Sequence, residues 1–256
     1  MSDQQVAVDI GNTHVVMGYF LGGELKNTWR FASDPSRTVD EYALTIKGVI
    51  DSEQIKLTGQ SKVIVCCVVP SLSRVFLKLF QKYFDIEAQL VESGNLKQIE
   101  IDCDDPSSVG ADRAVNALAA RESWGAPGVV VDFGTATTFD VIAENGNYQG
   151  GIIAPGLITA SEALSSKAAM LPGIEISDPP QLIGKNTQDS MLSGIVYGYA
   201  GLVDGILERL EQETGFAGNV TATGGLARMM NNYSAKIDRV VPELTLLGLK
   251  LLLNSR

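Results

Sequence analysis

The chain has 256 residues, 45% apolar and 20% charged, with a formal net charge of −10. That balance describes a globular protein and excludes wholesale disorder; the length allows one large domain or two of about 125 residues. The acidity argues against nucleic acid as a partner, so any anionic ligand must meet local positive charge from loop amides, an Arg or Lys, or a bound cation.

The N-terminal residues show no basic segment followed by an apolar one, so no signal peptide is expected. No apolar run approaches the roughly 20 residues of a membrane span. Cys66, Cys67 and Cys103 make an odd count with two adjacent, which is no disulfide framework. The expected location is the cytoplasm.

In chain order, Val6 to Ile10 and Val15 to Phe20 read as strands, and Gly22-Gly23 turns the chain into a third, Glu24 to Phe31. Thr38 with Glu41 three residues on is a capping box. Val39, Tyr42, Ala43, Ile46, Val49 and Ile50 follow at helical spacing. Val63 to Val69 is a β-branched run expected of a strand buried on both faces, with Cys66 and Cys67 as buried thiols and Pro70-Ser71 as its end. Leu72 to Tyr83 is a second amphipathic helix, and Gly110-Ala111-Asp112-Arg113 leads into a third, Ala114 to Ser123.

The strand and turn Val6 to Thr13, ending Asp9-Ile10-Gly11-Asn12-Thr13, are then echoed by Val129 to Ala136, ending Asp132-Phe133-Gly134-Thr135-Ala136, 123 residues later. Each copy is an apolar strand, Asp-x-Gly, a small polar residue, a second apolar stretch and a glycine turn. The repeat divides the chain into lobes of one plan, residues 1–121 and 122–256. Beyond it, Gly150 to Gly156 precedes a helix from Leu157 to Ala169, and a long helix runs from Thr187 to Glu213. Its glycines at 194, 198, 201 and 205 share a face, although Gly costs about 1 kcal/mol in a helix interior. Something must pack close there, a sheet or a partner subunit. Val220 to Thr223 is a last strand, and Gly224-Gly225 opens a helix.

Two Asp-x-Gly turns in matched contexts describe a nucleotide clamp. Glycine lets backbone amides approach phosphate oxygens, and Asn12, Thr13, Thr135, Thr137 and Thr138 add neutral donors. Asp9 and Asp132, at strand ends, can hold a cation directly or through water. Asp112 at a helix start is a candidate general base, its ionised form favoured by the helix N-terminus, with Arg113 to hold an anion. Other chemistries are absent. No G-x-G-x-x-G follows the first strand, Gly184-Lys185-Asn186-Thr187 lacks the earlier glycine of a P-loop, and His14 is the single histidine.

The paired turns resemble the actin, sugar-kinase and heat-shock-protein superfold. More closely, Asp9 to Thr13, Gly110 to Arg113, Asp132 to Thr138, Gly150 to Gly156, Gly184 to Thr187, Thr223 to Ala227 and Pro242 to Leu249 resemble, in order, the motif series of type III pantothenate kinases. The resemblance implies an α/β fold of two duplicated ribonuclease H-like lobes, mixed sheets flanked by helices, with the nucleotide cleft between them. It implies ATP-dependent phosphorylation of pantothenate to 4′-phosphopantothenate, the first step of coenzyme A biosynthesis. Other small-molecule kinases or phosphatases of the superfold, or a non-catalytic regulatory accessory role, are the alternatives.

On matching positions Asp112 is the catalytic proton acceptor. Gly110, Ala111, Asp112, Arg113 and Thr187 bind pantothenate. Asp9, Ile10, Gly11, Asn12, Thr13, His14, Thr135, Gly224 and Gly225 bind ATP, the last two near adenosine. Asp132 ligates a monovalent cation, potassium or ammonium, and Mg2+ accompanies ATP. The family is homodimeric, with neither nucleic acid nor membrane as partner. Where many members carry a substrate-contacting Tyr followed by Asp-Asn-Pro, this chain has Cys103-Asp104-Asp105-Pro106.

Overall fold

The computed structural model of the protein describes residues 4–167, 171–216 and 219–254. The chain divides into two compact units. One runs up to Ala119 and resumes from Thr245; the other is Ala120–Leu244. The sequence-based boundary at 121/122 differs by two residues and gives the C-terminal segment to the second lobe, whereas here that segment belongs with the first.

In the first unit, strands β1 (Gln4–Ile10), β2 (His14–Leu21) and β3 (Glu24–Ala32) form an antiparallel meander. β4 (Lys62–Cys67) and the three-residue β5 (Gln89–Val91) extend it in parallel, giving the order β3-β2-β1-β4-β5. Two helices, α1 (Val39–Ser52) and α2 (Pro70–Phe84), lie on one face. Their apolar stripes, including Tyr42, Ile46, Leu72, Phe76 and Phe80, join Val6, Val8, Ile10, Met17 and Val65 in one core. The capping box forms as read: the Glu41 amide donates to Thr38 Oγ1, and Glu41 Oε2 accepts from the Thr38 amide at 2.8 Å. Pro70 does more than end β4, because it is the first residue of α2, where its fixed φ suits a helix start.

The opposite face of this sheet meets α7 (Leu244–Asn254). Gln5 Nε2 donates to Asn254 Oδ1 at 2.6 Å. A Cβ on Gly18 would stand 2.9 Å from Leu246 Cδ1, so the strand's missing side chain makes room for the helix. Helix α3 (Ala111–Trp124) starts one turn earlier than expected, which puts Asp112 inside its first turn. Gly248 of α7 lies against the Val115 carbonyl of α3, and Thr245 Oγ1 donates to Asn116 Oδ1 at 2.8 Å.

The second unit repeats the plan. β6 (Gly128–Phe133), β7 (Ala136–Ile142) and β8 (Tyr148–Pro155) form the antiparallel meander. β9 (Val220–Thr223) and the two-residue β10 (Arg239–Val240) extend it in parallel, giving the order β10-β9-β6-β7-β8. Helices α4 (Leu157–Lys167), α5 (Thr187–Thr214) and α6 (Ala227–Met230) complete it. The expected end of α4 at Ala169 lies outside the described residues. The core joins Val129, Val131, Phe139 and Val220 to Tyr199, Val203 and Leu207 of α5.

Helix α5 is long and apolar enough to cross a membrane by length and composition alone, but Met191, Val196, Val203 and Leu207 are buried in this unit's core. Of the four glycines on its face, Gly205 lies under the Arg209 side chain, a Cβ there standing 3.2 Å from Nη1. Gly194, Gly198 and Gly201 are exposed, and a Cβ on any of them would meet nothing within 4 Å. No sheet packs there among the described residues.

Candidate functional site

In the first unit the Asp-x-Gly turn joins β1 to β2. The Gly11 amide donates to the His14 carbonyl at 2.9 Å, leaving Asn12, Thr13 and His14 exposed. The Ser33 amide, just past β3, holds the Thr13 carbonyl at 2.9 Å. Asp9 is half-buried at the end of β1, in register with Cys66 of β4. The Ile10 side chain is buried in the core and its carbonyl accepts from the Val68 amide, so Ile10 contributes support rather than a side-chain contact. Burial, and then the Arg30 charge, pull the His14 imidazole below its ordinary pKa, which favours its neutral form.

Asp112 sits in the first turn of α3, with the Arg113 amide donating to its Oδ1 at 2.9 Å. Gly110 caps that turn, its carbonyl accepting from the Arg113 and Ala114 amides. Ala111 is buried, so its methyl group faces away from solvent. Burial raises the Asp112 pKa; the Arg113 amide and the Arg113 charge oppose that without overcoming it. The amides at the helix start do favour the ionised form, but removing a carboxylate from water costs more than these groups return.

The Cys66 thiol lies between the two carboxylates electrically. Burial pushes it well up, and the charges of Asp9 and then Asp112 push it further. It is a buried thiol, as read. Cys103 is also raised by burial, with Arg113 pulling the other way, which places it near that guanidinium.

In the second unit the matching turn is one residue tighter, the Gly134 amide reaching the Ala136 carbonyl at 3.1 Å. Gly134 and Thr135 are exposed. The Thr135 carbonyl accepts from the Gly156 amide at 3.0 Å and from Thr159 Oγ1 at 2.8 Å. Tyr199 of α5 then donates to the Pro155 carbonyl at 2.8 Å, bracing the segment behind the turn. Thr159 and Tyr199 escaped the sequence reading because each lies in a helix remote in sequence from the turn it supports.

Two expected donors drop out. Thr137 is fully buried on the core face of β7, and Thr138 Oγ1 donates to the buried Asp140 at 3.1 Å. Asp140 also accepts from Tyr148 Oη at 2.8 Å, a buried polar group with the partners it needs.

Asp132, half-buried at the end of β6, is in register with Thr223. The adenosine-turn candidate comes next to it. Gly224 has φ of +90°, and a Cβ there would lie 2.4 Å from Asp132 Oδ1 and 2.7 Å from the Phe133 backbone. Only glycine permits both that conformation and that approach. Gly225 is exposed just ahead of α6.

Thr187, the exposed first residue of α5, follows its N-cap Asn186, whose Oδ1 accepts from the Asp189 amide at 2.9 Å. A Cβ on Gly184 would stand 2.3 Å from the Ser190 nitrogen, so that loop lies directly on the helix's first turn. A surface cavity of about 270 Å3 opens beside it, lined by Gly173, Ile174, Glu175 and Ser177 of the preceding loop and by Gln188, Asp189 and Leu192. A larger groove of about 520 Å3 is lined by Thr38, Val39, Asp40, Lys78, Gln81 and Lys82; neither lining includes a predicted site residue, although that of the smaller cavity begins at Gln188, next to Thr187.

Among the described residues no cluster of three or more His, Cys, Asp or Glu side chains could cage a metal ion. Single carboxylates at strand ends suit instead a Mg2+ held largely by substrate phosphates and water.

Comparison with known proteins gives these features a context. Residues 5–209 match the family described as type III pantothenate kinase. The type III pantothenate kinase of Moorella thermoacetica is 45% identical over 246 residues, 96% of this chain and 97% of that one. That of a Geobacillus species is 44% identical over 245 residues, 96% and 95% of the two chains. Among solved structures, one described as a Baf family transcriptional activator from Campylobacter jejuni aligns over 97% of each chain with a TM-score of 0.59 and 20% identity, a likeness of fold alone.

Proposed function

The chain belongs to the type III pantothenate kinase family, and from that premise we propose how its residues divide the work. The reaction is ATP-dependent phosphorylation of pantothenate to 4′-phosphopantothenate, the first step of coenzyme A biosynthesis. The hydroxyl oxygen of pantothenate bonds to the γ-phosphorus as the bond to the β,γ-bridging oxygen breaks, ADP leaves, and the hydroxyl proton needs an acceptor.

Asp112 is that acceptor in our reading. The observation that carries it is a partly buried carboxylate in the first turn of α3 with its pKa raised by burial. A base drawn up toward the operating pH takes a proton more effectively than an ordinary surface carboxylate. Arg113 and Thr187 supply the polar contacts to pantothenate, with Gly110 and Ala111 shaping the backbone around Asp112. The turns Asp9 to His14 and Gly134-Thr135 take ATP phosphates through exposed backbone and hydroxyl groups, and Gly224-Gly225 lies toward adenosine. Asp9 and Asp132 are the carboxylates available to cations. Asp132 would hold a potassium or ammonium ion, and Mg2+ arrives with ATP; together they would offset phosphate charge in an otherwise acidic protein.

We further propose a homodimer in the cytoplasm. The open glycine face of α5 supports it, together with exposed Ile158, Leu164, Ile183 and Tyr197 in the same unit.

Replacing Asp112 with Asn tests the base. Turnover is expected to fall by about 10²–10⁴-fold with ATP binding retained. Stability is expected to hold or rise, because the cost of burying a charge disappears. The sign of the pH effect follows: the base must be ionised, and its pKa is raised, so the acid limb of kcat/KM lies above the usual carboxylate range. A variant that keeps most of its kcat, or an acid limb near the ordinary aspartate value, sinks the assignment.

A further inference from the structure

The loop between α4 and α5 forms one wall of the 270 Å3 cavity beside Thr187, and it is tied down at several points. Ser193 Oγ of α5 donates to the Leu182 carbonyl at 2.5 Å. Gly184 lies on the backbone of α5's first turn. Both ties belong to α5 itself. A third comes from elsewhere: Tyr233 Oη donates to Asp178 Oδ1 at 2.8 Å, next to the wall residue Ser177.

Tyr233 follows α6, eight residues beyond Gly225, so it sits on the segment that begins at the Gly224-Gly225 turn. Its ring stands edge-on to Tyr197 of α5, centroids 5.3 Å apart. Its neighbours are fixed as well. Asp204 of α5 accepts from Ser234 Oγ at 2.5 Å and from the Ala235 amide at 3.1 Å. The phenol is therefore a rigid post, held by an aromatic contact on one side and a pinned backbone on the other.

We propose that Tyr233 is a positioning residue for pantothenate, its hydroxyl holding Asp178 so that the loop keeps in place the wall of the cavity formed with Gln188 and Asp189, the residues that follow Thr187 in the first turn of α5. The nucleotide-side turn and the substrate-side loop of this unit are thereby joined through one hydrogen bond. Burial and the adjacent Asp178 carboxylate push the Tyr233 phenol up to about 12, so the proton stays on the donor at any physiological pH. This inference rests on the reading of Thr187 as a pantothenate contact, and its tests separate the two.

Tyr233→Phe and Asp178→Ala each remove the same hydrogen bond. Each is expected to raise KM for pantothenate about three- to tenfold, the value of one net hydrogen bond, with kcat within about twofold and KM for ATP unchanged. The double variant is expected to be no worse than either single one. Amide exchange over residues 173–178 of the full protein is expected to accelerate in Tyr233→Phe. Unaltered exchange there, an unaltered pantothenate KM, multiplying effects in the double variant, or an equal rise in KM for ATP each overturns the proposal. Thr187→Val is the control. If it leaves the pantothenate KM unchanged, the substrate reading has failed, and the exchange measurement still decides whether Tyr233 holds the loop. If Thr187→Val raises KM while Tyr233→Phe does not, the positioning role alone falls.

Discussion

The two sheets share one strand order, yet the units differ in what they show to solvent. Among the described residues the first unit exposes one large apolar side chain, Leu44, whereas the second exposes seven, among them Ile158, Leu164, Ile183 and Tyr197. The first unit covers both faces of its sheet, one with α1 and α2 and the other with α7. The second carries a 28-residue helix with three glycines open to space. Duplicating a strand plan thus fixes where Asp9 and Asp132 fall, at equivalent strand ends, and leaves the outer surfaces free to diverge. One has its sheet covered on both faces, and the other leaves more apolar side chains exposed.

The largest expected effect comes from the turns. Gly11→Ala places a Cβ 3.3 Å from one carbonyl, whereas Gly224→Ala places it 2.4 Å from Asp132 Oδ1 at a positive φ. Gly224→Ala is expected to cost about 2–4 kcal/mol from strain and overpacking, with ATP binding lost; Gly11→Ala costs about 1 kcal/mol or less. Thermal melts of the two variants check this, and equal costs would break the idea that the turn after β9 is built more tightly than the first Asp-x-Gly turn.

Next is Gly198→Leu. A free helix gains propensity from this change, so the protomer is expected to keep its melting temperature. If the glycine face meets a second copy, two added side chains per interface weaken the dimer by roughly a hundredfold or more. Sedimentation at graded concentration reads this directly, and an unchanged dimer would remove the glycine face from the interface.

The smallest effect compares two helix caps of the same design. Thr38→Ala and Asn186→Ala each remove a side-chain acceptor at a helix start, worth about 1 kcal/mol. Thr38→Ala is expected to lower stability with pantothenate KM intact, while Asn186→Ala, beside Thr187, is expected to raise that KM as well. Matching kinetics in the two would mean that α5's first turn plays no part in substrate binding.

Much of this frame was legible because local signals agreed with the tertiary outcome. Thr38 and Glu41 announced α1, Gly22-Gly23 announced the β2–β3 hairpin, and the repeated Asp-x-Gly placed both turns. What escaped did so for physical reasons. β5 and β10, of three and two residues, are too short to show a period. Helix α7, LTLLGLKLLLN, is apolar nearly all round, so no stripe distinguishes it from a buried strand. Thr137 shares a face with Phe139 and Val141 and follows them inward, a register that the pairing with β6 and β8 sets. The raised pKa of Asp112 depends on what buries it, and no cap motif records that.

The return of the C-terminal segment to the first unit bears on how the chain is made. On a ribosome, α7 emerges about 125 residues after α3, at ordinary elongation rates on the order of ten seconds later. Until then Gln5, Gly18, Val115 and Asn116 have yet to make their contacts with α7. The second unit, contiguous in sequence, can finish first. Nascent chains stalled before Leu244 should therefore show protease resistance in residues 120–243 while the earlier strands are still cut. The half of the molecule synthesised first would then be the half that matures last, with Asp9 and Asp112 reaching their final surroundings only once the last helix docks.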